Sequence, residues 1–60
     1  MLREASILLS DGRKINRLFC GGAMEFIDTV CRAEHAKAIS ADIYSITSRG
    51  TVLTGMWRAL

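Results

Sequence analysis

The sequence predicts a small two-layer α+β domain. Its order is hairpin, helix, hairpin (ββαββ), with an antiparallel sheet and one helix packed on it. Three observations carry this reading. Asp11-Gly12 separates two apolar runs. Ala23, Phe26, Ile27, Val30 and Cys31 recur at three- and four-residue steps. Two runs rich in β-branched and aromatic residues flank Ser48-Arg49-Gly50.

The first hairpin joins Ala5–Ser10 to Arg13–Cys20. Asp-Gly suits a two-residue type I′ turn, which needs positive φ at both central residues. With Asp11 and Gly12 at the tip, Leu8 faces Ile15, Ser6 faces Arg17 and Glu4 faces Phe19. Ile7 then meets Asn16, Leu9 meets Lys14 and Ala5 meets Leu18 on the other side. Both faces of this ribbon are partly apolar. A sheet with one side in water alternates more cleanly.

Gly21-Gly22 breaks the strand, and the segment from Ala23 to about Lys37 reads as a helix. Its apolar stripe faces one way, with Glu25, Asp28, Arg32 and His35 on the other side. Early acids and a late lysine suit the helix dipole. Asp28 and Arg32, four apart, are placed for an ion pair on a solvated face.

Ile43–Thr47 and Thr51–Thr54 form the second hairpin. Its loop holds two residues, or else Gly50 sits at a bulge. The two-residue version puts Ile46 opposite Leu53, Tyr44 opposite Gly55 and Ile43 opposite Met56. Trp57 follows one step on.

Length and composition bound the function. Sixty residues, half of them apolar, allow residues 1–60 to form one domain and exclude an intrinsically disordered chain. Such a chain buries only about 60% of its unfolded surface, so small domains lean on disulfides, metals or partner chains. Two cysteines, Cys20 and Cys31, and the single His35 are too few for a four-ligand zinc site. Cys31 and His35, four apart, match the spacing of a nucleophile–base pair, but no third group orients them. Gly21-Gly22 lacks the longer glycine pattern of a phosphate loop. The chain is therefore read as no enzyme, with no cofactor and no metal. The cysteines are read as free thiols in a reducing cytoplasm. Met1-Leu2-Arg3-Glu4 carries a charge pair where a secretory signal needs an apolar stretch. No apolar run approaches the ~20 residues that span a bilayer, so no membrane partner is expected.

One helix covers one face of such a sheet. The other face is then expected to expose Leu8, Ile15, Phe19, Tyr44, Leu53 and Trp57, a partner or dimer interface. A homodimer that binds another protein is the leading expectation. The alternative is a nucleic-acid regulator in which Arg13, Lys14 and Arg17 of the first hairpin touch phosphates. A net charge of only +2 weighs against it.

Several small folds lack a feature they need here. Small tautomerases use an N-terminal proline, and proline is absent. Ribbon-helix-helix repressors need a second helix where this chain reads as strand. In organisation alone, the chain resembles the short stand-alone α+β proteins that phages and mobile elements make to block host factors. That resemblance implies an inhibitor or regulator that acts by occupying a surface.

Overall fold

A computed structural model describes residues 2–59; Met1 and Leu60 lie outside the described residues. The elements are β1 (Arg3–Leu9), β2 (Lys14–Phe19), α1 (Ala23–Glu34), β3 (Ala38–Thr47) and β4 (Gly50–Arg58). The four strands make one antiparallel sheet in the order β2-β1-β3-β4, with α1 packed on β1 and β3. This is the ββαββ, two-layer α+β arrangement the sequence predicts.

The first turn differs from the expected one. The N–H of Leu9 donates to Arg13 O at 2.8 Å, and Gly12 N–H donates to Leu9 O at 3.0 Å. The loop is therefore Ser10-Asp11-Gly12, three residues long, with Gly12 left-handed at φ +93. A turn closed by a left-handed glycine is the common three-residue hairpin. Relative to the two-residue version it slips the register by one. Ile7 pairs with Ile15, Ala5 with Arg17 and Arg3 with Phe19, while Leu8 faces Lys14. A one-residue slip moves every side chain of a strand to the other face. Ile15 and Phe19 thereby join Ala5, Ile7 and Leu9 beneath the helix.

The core lies on that side. Ala5, Ile7, Leu9, Phe19, Ile27, Val30, Ala41 and Ile43 are buried, and Ile15, Phe26, Cys31 and Trp57 pack around them. Phe19 stacks on Phe26 with ring centroids 4.6 Å apart, and the Arg3 guanidinium covers the outer side of Phe19 at 4.9 Å. Arg3 also donates to Gly21 O, which ties the end of β2 to the start of β1.

α1 begins after Gly22, whose extended backbone serves as an N-cap without a side-chain bond. It ends at Glu34, three residues short of Lys37. His35 turns left-handed at φ 54, and the N–H of Ala36 reaches back to Cys31 O. That reversal frees Ala38 to start β3, which runs ten residues where the sequence suggested five. Asp28 and Arg32 form no ion pair among the described residues.

The second hairpin turns through Ser48-Arg49, since Thr47 pairs with Gly50. Ile46 faces Thr51 and Tyr44 faces Leu53, so the expected Ile46–Leu53 and Tyr44–Gly55 pairs do not form. Beyond them, Ile43 pairs with Gly55, leaving Thr54 as an extra residue in β4. This bulge shifts the alternation of side chains along the strand. The Thr54 hydroxyl donates to Ile43 O at 3.3 Å across it.

Candidate functional site

Side chains alternate across a strand, and directly paired residues share a face. The ladder therefore assigns the face that α1 leaves uncovered. It carries Glu4, Ser6 and Leu8 from β1, and Lys14, Asn16 and Leu18 from β2. It also carries Ser40, Asp42, Tyr44 and Ile46 from β3, and Thr51, Leu53, Met56 and Arg58 from β4. Leu2, whose carbonyl accepts from Ile46 N–H, continues the row.

The polar and apolar residues of this face are segregated. One end holds Leu2, Leu18, Tyr44, Ile46 and Leu53 around Glu4. The other holds Lys14, Asn16, Ser40, Asp42 and Arg58 around Leu8, with Met56 on the border. Leu18 is 58% exposed and Met56 63%. Large exposed apolar side chains gathered on one surface mark an interaction site. At the polar end Arg58 Nη1 lies 3.2 Å from Asp42 Oδ1.

Three of the six interface residues read from the sequence lie on this face. Leu8 and Tyr44 are half-buried, and Leu53 is exposed. The other three lie on the helix side. Phe19 is 6% exposed in the core, while Ile15 and Trp57 are half-buried and pack against it. Leu2, Leu18, Ile46 and Met56 were missed. The register that separates apolar Ile7, Ile15 and Phe19 from polar Ser6, Asn16 and Glu4 would have exposed Leu18 at once.

Arg13, Lys14 and Arg17 do not share a surface. Arg13 is clamped at the turn: Nε donates to Asp11 Oδ2 at 2.8 Å, Nη1 to Glu34 Oε1 at 2.7 Å, and Nη2 to Glu34 O at 3.0 Å. Arg17 lies on the helix side, with Nη2 4.0 Å from Glu34 Oε2. Lys14 projects from the open face, paired with Leu8. The N–H and side chain of Arg13 both bond Asp11 and hold its carboxyl below the usual carboxylate range. The side-chain bond to Asp11, and then Glu34, raise Arg13. One helix carboxylate, Glu34, thus pairs with two of the three cations.

Cys31 and His35 meet only through the backbone, His35 N–H donating to Cys31 O. Cys20 is exposed and Cys31 half-buried, both as free thiols. Among the described residues no group of three or more His, Cys, Asp or Glu side chains is placed to hold a metal ion. Among them, too, no helix is long and apolar enough to cross a membrane. No protein-family model, curated protein or solved structure matches this chain.

Proposed function

We propose that the chain is a small non-enzymatic binding protein, a homodimer that regulates or inhibits another protein by occupying its surface. The observation that carries this reading is the open sheet face, with its exposed apolar end and polar opposite end. The molecule measures 34 by 18 Å along its two longest axes. The face therefore offers on the order of 600 Å², near the roughly 800 Å² per partner of a standard interface. Exposed apolar side chains beside polar ones are the usual make-up of such a surface. The free thiols suit a reducing cytoplasm, where we place the protein.

Capture from the source cell, identified by mass spectrometry, tests the reading. Wild type should retain a protein that Leu18→Lys does not. That protein, once purified, should bind the variant at least about tenfold more weakly, a loss of about 1.4 kcal/mol. Leu18 is exposed, so the substitution leaves the fold intact. Equal binding by both forms would overturn the reading. Sub-micromolar retention of generic DNA or RNA at about 150 mM salt, lost when Arg13, Lys14 and Arg17 become alanine, would replace it with a nucleic-acid regulator.

A further inference from the structure

Building on the reading of the chain as a homodimer, we infer that the second copy docks along the free edge of β4, joining two four-stranded sheets into one of eight strands.

The two sheet edges differ in kind. An edge strand exposes unpaired backbone N–H and C=O groups, and charged side chains are the common protection against pairing. β2 is six residues long and carries Lys14 and Arg17. β4 is nine residues long and has no charge from Gly50 to Trp57. Val52 (53% exposed), Leu53 (48%) and Met56 lie open along it. Its one charged residue, Arg58, is already paired with Asp42 of its own chain.

The bulge determines how two copies fit. Before Thr54, Val52 lies on the helix face and Leu53 on the open face. After it, Met56 lies on the open face and Trp57 on the helix face. Two β4 strands related by a two-fold axis run antiparallel, and residues directly opposed must share a face. The register centred between Thr54 and Gly55 meets this condition. Leu53 then opposes Met56 of the second copy, Val52 opposes its Trp57, and Thr51 opposes its Arg58. The exposed apolar residues of one copy meet those of the other on both faces, and no like charges stand opposite each other. At the centre lies a shallow depression of about 250 Å³, lined by Leu53, Thr54, Gly55 and Met56. The two-fold brings Leu53 and Met56 of the second copy to its margin. The open face stays uncovered and doubles in width, with Leu53 and Met56 at the seam between its two halves.

The test is a disulfide trap. In a Cys20→Ala, Cys31→Ala background, Leu53→Cys with Met56→Cys should give a covalent dimer on mild oxidation. Directly opposed residues are about 5 Å apart, within disulfide reach. Within one strand the two positions are too far apart to bridge, at about 3.3 Å per residue. Leu18→Cys in the same background, at the far edge, should remain uncrosslinked. In sedimentation, Val52→Lys should raise the dimer dissociation constant at least about tenfold, with circular dichroism unchanged. Wild-type sedimentation as a monomer at high micromolar concentration would overturn the inference. So would a dimer that persists without the 53–56 crosslink. Leu18→Lys should keep the dimer, so losing the partner through that change bears on the open face alone. If Leu18→Lys dissociates the dimer and Val52→Lys does not, the copies pack face to face and the edge assignment fails.

Discussion

The two hairpins share topology but differ in length, with strands of seven and six residues against ten and nine, and in what holds them. β1–β2 meets α1 from both strands: β1 packs on it, and β2 reaches it through the Phe19–Phe26 stack and the Arg17–Glu34 pair. Its turn is bound at three points: Arg13 to Asp11 and Glu34, Leu9 to Arg13, and Ser10 N–H to Lys37 O at 2.7 Å. β3–β4 touches the helix only through its inner strand, and β4 packs on β3 alone among the larger contacts. A hairpin alone is marginal in water, so each needs an external source of stability. The first finds it in the core. The second finds half of it there and leaves its outer strand for something else to cover.

Substitutions sharpen this contrast. The largest effect is expected at Ile7, which is fully buried. Ile7→Ala should cost about 3 kcal/mol in chemical denaturation. Leu53→Ala, on the exposed strand, should stay within about 0.5 kcal/mol in the dissociated monomer. Equal costs at the two sites would dissolve the distinction between the hairpins. Gly12→Val comes next. The left-handed φ of +93 disfavours a β-branched residue whatever the space around it, and about 1–2 kcal/mol should be lost. A Gly12→Asn variant, which tolerates that region better, should recover part of the loss.

The smallest effect is electrostatic. Asp11 is held below its ordinary value by Arg13. Its contribution is therefore present above the unfolded-state value, near 3.8, and is lost as pH falls through the folded one. Acid titration of stability should show a shallow loss starting below about pH 4. Arg13→Ala keeps the backbone N–H bond to Asp11 but loses the guanidinium, so it should shrink that step, as should added salt, because the pair is exposed to solvent. An identical acid limb in Arg13→Ala would show that the clamp contributes nothing.

Element types and order were legible in the sequence because periodicity and turn residues report local preference. Ala23, Phe26, Ile27 and Val30 could belong only to a helix face, and Ile43 to Thr47 only to a strand. Register was less legible. Asp11-Gly12 suits a two-residue turn and a three-residue turn equally, because both place glycine at positive φ. The choice moves Ile15 and Phe19 between the core and the open face, so two of the six expected interface residues went with it. Thr54 had a similar effect in the second hairpin, since a bulge has no strict residue signature. Long-range pairing of Arg13 and Arg17 with Glu34 was also beyond reach: the three residues lie 17 and 21 positions apart, and only the fold brings them together.

The strand order has a consequence for how the chain assembles. β1 is central in the sheet although it comes first in the chain. Its pairing with β2 is local, but Leu9 pairs with Ala38 and Arg3 with Ser45, 29 and 42 residues downstream. Each hairpin closes on itself at little entropic cost, whereas joining them means closing the loop that contains α1. The β1–β3 seam is therefore expected to close last, and until it does one edge of β1 stays unpaired. A synonymous slowdown in translation before Ala38 lengthens that interval, and the window for misassociation with it.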